Sequence, residues 1–569
     1  MSARSARAAA ACGGAMAAAC WTWLSAAAAA PPVAQPAATA SETWSYRVQP
    51  GDTLIGIGRL HLVRPADWRA LQRLNGVRQP RRLPVGMELQ IPLAWMPHVS
   101  TVAEVAFVRG QVFVLAAGAE GAVGLAAQRP LEMGDRLKPS DVIRTQANST
   151  ATLRFADGSR LLVAAGSEIR IEQLLSIGRP ALPAVRLKQQ RGSTEAQVAP
   201  AAPGRRFEVT TPALNLGVRG TAFRTQVDAD GGQTRLEVLS GRVQSESGKT
   251  RAPVDAGMGS VAQQGQAPGQ PVPLSNAPSL ENVAARLERL PLQFSWAALP
   301  GAQGYRAQVL QGEQKDQLLL DGRFTQPLAR WADLPDGPYT LRVRGIDGLG
   351  LEGRDAEHSF TLKARPEPPL VSTPAQAAKV YGERTNFAWA RVKAAAGYRL
   401  QVSGRADFTD TVHDNAELGV TQVELPLPPG QYFWRVASIA RTPDGRADPG
   451  PFGDPQAFTQ RAEPASPALQ APQVGPQGLE LRWQQPAPGQ RVRFQVARDE
   501  AFLKILQDET TEQASVFIQN PLPGLYFVRA RSIDADGFEG RFGAAQQVEV
   551  PPDRPWWLLL PVGLLLLAL

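Results

Sequence analysis

Three related stretches constrain the second half of this chain more than any other feature: DGPYTLRVRGID, PGQYFWRVASIA and PGLYFVRARSID. Trp296, Trp389 and Trp483 stand 93 and 94 residues apart, and Tyr339, Tyr432 and Tyr526 each follow their Trp by 43 residues. In every copy an Arg follows the Tyr by three positions and an Ile by seven; Tyr305, Tyr398 and Val492 lie nine after each Trp. A period of this length, filled with short alternating runs and Gly/Pro turns, predicts a tandem of seven-stranded β-sandwiches. The Trp then fills each core from an inner strand, and the Tyr anchors a corner before a late strand. Both are read as core residues, not ligand contacts. The expected sandwiches span 291–363, 364–462 and 463–550.

The repeats resemble fibronectin type III or related immunoglobulin-like modules, which implies a spacer or a surface for other proteins. At 569 residues the chain is too long for one core, so further domains precede them. With 52 Gly and 49 Pro, it is punctuated often, as many short strands require. The net charge is +8, carried by 52 arginines and 8 lysines. These charges are spread along predicted strands without a long basic run, so nucleic acid is not an expected partner.

From about Ala103 to Gln263 strand follows strand: VRGQVFVL, MGDRLKPSDVIRT, ATLRFADGSRLLV, EIRIEQL and FEVTTPALNLGVRGTAFRTQV. Asp157-Gly158 between apolar runs signals a hairpin. An all-β domain over 103–263 is expected. GDRLKPSDVIRTQANSTATLRFADGSRLLV and TTPALNLGVRGTAFRTQVDADGGQTRLEVLSGRVQ resemble the FecR family, and Gly217 to Phe223 is the most specific part. Classical members relay a signal across the periplasm and carry a cytoplasmic tail and transmembrane helix ahead of this domain. This chain has a different N-terminal layout, so the resemblance implies an envelope β-domain for protein contacts. Arg219 and Thr221 are read as strand-start residues with local hydrogen bonds. Residues 264–290, rich in Pro, Gln and Gly, are expected to be linker, with a short helix over SLENVAARLERL.

Ahead of the all-β domain, YRVQPGDTL leads into a helical pattern through Leu60, a second from Pro65 to Leu74, a stop at Asn75-Gly76, and the strand-like LPVGMELQIP. Strand, helix, helix, strand over 44–93 resembles the lysin motif (LysM) domain. That family has a βααβ fold and binds N-acetylglucosamine-containing glycans such as peptidoglycan. The resemblance implies a groove between Gly51-Asp52-Thr53-Leu54 and the segment from Asn75-Gly76 to Pro84. Gly51 lets backbone approach a ligand, Thr53 and backbone amides hold N-acetyl groups, and Leu54 is an apolar floor. Asp52 or Thr53 also suits a helix cap. Gly56 and Gly58 inside the first helix each cost about 1 kcal/mol against Ala.

The ends address the chain. Residues 1–40 read as a secretory signal peptide, with Arg4 and Arg7 before an Ala-rich stretch and Ala38-Thr39-Ala40 at the cleavage position; Cys20 offers a lipoprotein alternative. Trp556 to Leu569, within an apolar anchor at 555–569, spans about 21 Å as a helix, short of a ~30 Å hydrocarbon core. Paired Trp beside Arg554 suits an interfacial membrane anchor. Cys12 and Cys20 both fall in the leader, so a Cys-based metal site or disulfide framework is not expected, nor is a cofactor. No nucleophile motif, H-E-x-x-H or phosphate loop is present.

The expected protein is a non-enzymatic, multidomain, mainly β protein of the periplasm or cell envelope. It binds peptidoglycan and presents FecR-like and fibronectin-like domains to envelope proteins. The alternative is a regulatory protein of FecR type, for which direct relay needs a segment beyond Leu569. A cell-wall hydrolase with LysM targeting is a third class, without a visible catalytic domain.

Overall fold

The computed structural model describes residues 43–115, 128–179, 181–200, 206–475 and 478–552. The expected leader (1–40) and apolar anchor (555–569) lie outside the described residues. Among those described, no helix is long and apolar enough to cross a membrane.

The first unit is β1 (Thr43–Arg47), α1 (Leu54–His61), α2 (Trp68–Leu74) and β2 (Glu88–Pro92), with a 3₁₀ turn over Pro65–Asp67 leading into α2. β1 and β2 are antiparallel, with Trp44 opposite Ile91 and Tyr46 opposite Leu89. Gly58 is required where the helices meet, since a Cβ there would stand 2.9 Å from the Trp68 Cβ. The propensity cost of that glycine is therefore offset by close helix packing.

This unit is docked on the next one. After β2 the chain forms the strand His98–Ser100, which pairs with the end of Glu168–Ile177. Leu93 and Met96 join Leu54, Ile57, Leu89 and Ile91 in one apolar core with Ile177, Leu182 and Ala184 from the neighbouring β-hairpin.

The all-β domain is a closed barrel of strands between His98 and Pro273. The 16-residue strand Leu182–Gln197 runs through both of its faces. The Asp157-Gly158 hairpin forms between Thr150–Arg154 and Arg160–Val163, with Gly158 at φ 83°. Thr221 is buried and donates to the carbonyl of Arg242 at 3.0 Å, while Arg219 is exposed beside it. That is the local strand-start role expected of Thr221; Arg219 lies in the turn between Asn215–Val218 and Ala222–Val227.

The stretch read as linker is ordered. Val272–Pro273 pairs with the barrel strand Met258–Gln263, and no helix forms over 279–290. Leu280 and Val283 instead plug the first sandwich core, and Arg286–Leu287 runs parallel to Thr361–Leu362. Leu280, Val283, Leu287 and Leu290 have helix-like spacing, but each serves as a separate apolar peg between Pro278 and Pro291.

Three sandwiches follow, as the spacing predicts. Trp296 packs on Tyr305, Trp389 on Tyr398 and Trp483 on Phe494, with ring centroids 5.5, 5.6 and 5.6 Å apart. The hydroxyls of Tyr339, Tyr432 and Tyr526 donate to backbone carbonyls four residues upstream, at 2.7, 3.0 and 2.6 Å. These bonds pin the corner in each copy.

The segment after the long Tyr-bearing strand grips the domain before it in each repeat. In the first, Arg235 of the barrel donates to Leu349 O at 3.0 Å, and Glu352 N to Glu237 at 3.1 Å. In the second, Asp448 pairs with Lys363 at 2.8 Å. In the third, Phe538 stacks on Tyr381 at 3.8 Å, while Asp536 takes Lys379 at 2.8 Å. One structural device, repeated, joins successive domains.

Candidate functional site: the first-strand corner

Three features turn the chain at the corner. Val48 N donates to Met87 O, Gly51 takes φ 90°, and Asp52 N closes a turn on Gln49 O at 3.1 Å. The Asp52 carboxylate accepts from Gln49 N and from the Tyr46 hydroxyl, each at 2.7 Å. Burial and that carboxylate push the Tyr46 phenol up to about 12. Thr53 has extended dihedrals and accepts from Gly56 N at 3.0 Å, so it is the N-cap of α1. A Cβ on Gly56 would lie 3.1 Å from that Thr53 Oγ1, which explains the second helix glycine.

Leu54 is fully buried and its N–H donates to Pro80 O at 2.8 Å. It draws the loop after α2 onto the corner, and its buried side chain offers no face to a ligand. Asn75 is spent elsewhere: its Nδ2 donates to Leu71 O and Gln90 O at 3.0 Å, and its Oδ1 accepts from Gln90 N at 2.7 Å. It stitches α2 to β2. Gly76, at φ 61°, ends α2 with open space where a Cβ would be.

The polar side chains predicted for a glycan groove are thus occupied in holding the local fold. Gly51 is exposed, and among the described residues its N–H and that of Thr53 make no hydrogen bond. The sequence reading missed Val85, 66% exposed on the turn whose Gly86 N donates to Val48 O at 2.9 Å. Its signal was present: an apolar residue between Pro84 and Gly86, where a turn favours polar ones. Val85 is the exposed apolar residue of that turn, whereas Leu54 is buried.

His61 is packed on the rings of Trp44 and Tyr46 at 5.1 and 5.2 Å. Burial lowers its pKa from 6.5.

A second polar cluster lies where the barrel meets the first sandwich. Arg224, Arg306, Arg344, Glu237 and Glu352 are all buried there. Arg306 forks onto Asp321 at 2.8 and 2.6 Å and reaches Glu352 at 3.0 Å. Arg344 holds Asp355 at 3.0 Å and also pairs with Glu195, which takes Arg342 at 3.1 Å. Burial would raise the Glu195 and Glu352 carboxyls, but the surrounding guanidinium groups outweigh it and hold both well below the usual range. Glu237 goes the other way: burial and the Glu352 charge push it up to about 7. The fixed partners and closed geometry make this cluster a joint.

Comparison with known proteins places these units. Residues 46–92 match the family model described as LysM domain, and residues 141–244 match FecR protein. Among solved structures, a putative anti-sigma factor from Parabacteroides distasonis ATCC 8503 is similar at 14% identity and a TM-score of 0.20. That match covers 23% of this chain and 57% of the other. The chicken CNTN1 FN1-FN3 domains match at 15% identity and a TM-score of 0.22, over 46% of this chain and 93% of theirs. The fibronectin(III)-like modules of Clostridium thermocellum CbhA match at 10% identity and a TM-score of 0.20, over 32% of this chain and 93% of theirs. By family model, therefore, the corner belongs to a LysM domain, and the barrel carries a FecR module.

Proposed function

We propose that this chain is a non-catalytic cell-envelope protein that binds peptidoglycan through its LysM domain. The FecR module and three sandwiches form a directional array for contacts with envelope proteins, and the apolar sequence 555–569 anchors the far end at a membrane. The LysM match over a corner with exposed Gly51 and unpaired backbone donors carries this reading. LysM and FecR domains are typical of the envelope, which supports the location. The domain joints described above support the array.

The test is co-sedimentation of the whole protein with purified peptidoglycan sacculi, with a soluble N-acetylglucosamine oligomer as competitor. Pelleting that the oligomer reverses supports the reading, and a protein that stays in the supernatant rejects it. Deletion of the LysM domain is a poor control, because it would bare Ile177, Leu182 and Ala184.

The FecR match favours one second reading, a regulatory role in which the barrel receives a partner. A partner-dependent change in transcription that survives loss of sacculus binding would favour it.

A further inference from the structure

The third sandwich differs from its siblings at one pole. Strand pairings put Ala497, Ile505, Gly524 and Val550 at the same end of its four-stranded sheet. Leu503 and Leu522, 85% and 72% exposed, stand on the two loops there, and Leu506 and Leu525 are exposed beside them. In the second sandwich the residues 94 positions earlier are Thr409, Pro428, Val412 and Gln431. The matching pole of that repeat leads into the next sandwich; this one leads through Pro551-Pro552 toward WWLLLPVGLLLLAL.

The two loops are held, not loose. Asp499 accepts from the backbone N–H groups of Leu503 and Lys504 at 2.8 and 2.6 Å. Phe502, at φ 55°, turns inward under the Arg529 guanidinium at 3.9 Å, which sends Leu503 out. Arg498 spans the loops, donating to the Tyr526 hydroxyl at 2.8 Å and to Leu522 O at 3.3 Å. Fixed apolar tips lose little entropy on burial. Apolar side chains grouped beside an apolar, Trp-bearing sequence match a water–lipid interface.

We propose that this pole is a membrane-contact surface, with Leu503 and Leu522 entering the headgroup region of the bilayer that receives Trp556–Leu569. The inference rests on the anchor reading of that sequence and is independent of glycan binding. Lys504 and Arg498 lie on the same loop as Asp499 and Glu500, so apolar burial, not net charge, is the main attraction.

The test is flotation of the whole protein with phosphatidylcholine–phosphatidylglycerol vesicles, comparing the parent with L503S/L522S and with L370S. Leu370 is 82% exposed but lies at the start of the second sandwich, in a different domain from this pole. All three positions are exposed, so equal melting temperatures are expected. The proposal predicts about tenfold weaker vesicle binding for L503S/L522S and none of that loss for L370S. Equal binding by the parent and L503S/L522S overturns the pole while leaving the anchor standing. A parent that does not float overturns both. Tighter binding by L503S/L522S would mean that the pole sequesters the apolar sequence, and a dimer lost in the variant without change in flotation would mean a self-contact. Either result overturns the proposal.

Discussion

Replacing Glu237 by Gln tests the joint between barrel and first sandwich. Glu237 is buried, accepts Glu352 N at 3.1 Å, and faces Arg224, Arg344 and the Glu352 carboxylate. Its pKa is pushed from an ordinary 4.5 to about 7. The unfolded chain gives up this proton near the lower value and the folded chain near the higher. The group's contribution to stability is therefore full below pH ~4.5 and lost as pH rises through about 7. A separation of about 2.5 units, at 1.36 kcal/mol each, corresponds to about 3 kcal/mol. Gln keeps an acceptor for Glu352 N and never ionises. At pH 4 the parent and Glu237→Gln should have similar stability; at pH 8 the variant should be more stable by about 3 kcal/mol. His61 works in the opposite sense, since its lowered pKa removes stability as pH falls through 6.5. It is present in both proteins and cancels in the difference. Pulsed hydrogen exchange along a urea series, read on peptides covering 233–240 and 340–352, isolates this joint. A difference that stays flat from pH 4 to 8, or a variant less stable at pH 8, would refute the reasoning.

Thr53→Ala removes the α1 cap and should cost about 1 kcal/mol in urea unfolding of the LysM unit. Phe538→Ala removes the stack on Tyr381 between the second and third sandwiches, a contact worth about 1 kcal/mol beyond its area. Small-angle scattering should then show a broader spread of maximum dimensions, while the parent shows a narrow one.

The sandwiches were legible because their signals are local and repeated: Trp, Tyr and Gly hold their spacing in each copy. The LysM order was legible for the same reason, down to the stop at Asn75-Gly76. The joints were not. Arg224, Arg306 and Arg344 alternate along strands just as surface arginines do, and only the packing of two domains shows that they are buried. Arg435 and Arg529 each stack on an aromatic ring at 3.9 Å within their own sandwich, whereas Arg342 at the matching position reaches Glu195 of the barrel. The same residue at the same repeat position serves two different contacts. Within the corner, sequence located the turn but not the fate of its side chains. Asn75 and Leu54 went to stitching and core, because hydrogen-bond geometry and burial depend on β2 and on the loop at Pro80.

The central claim is that the corner around Gly51 holds a glycan, and a matched pair of glycines tests it most directly. Gly51 and Gly134 have φ of 90° and 88°, and neither has a heavy atom within 4 Å of where a Cβ would stand. Gly51→Leu and Gly134→Leu therefore carry similar backbone strain, of about 1–2 kcal/mol, but only the first stands at the proposed glycan site. Sacculus co-sedimentation should fall at least tenfold for Gly51→Leu and stay at the parent level for Gly134→Leu. Equal pelleting by all three proteins would contradict a glycan site at the corner.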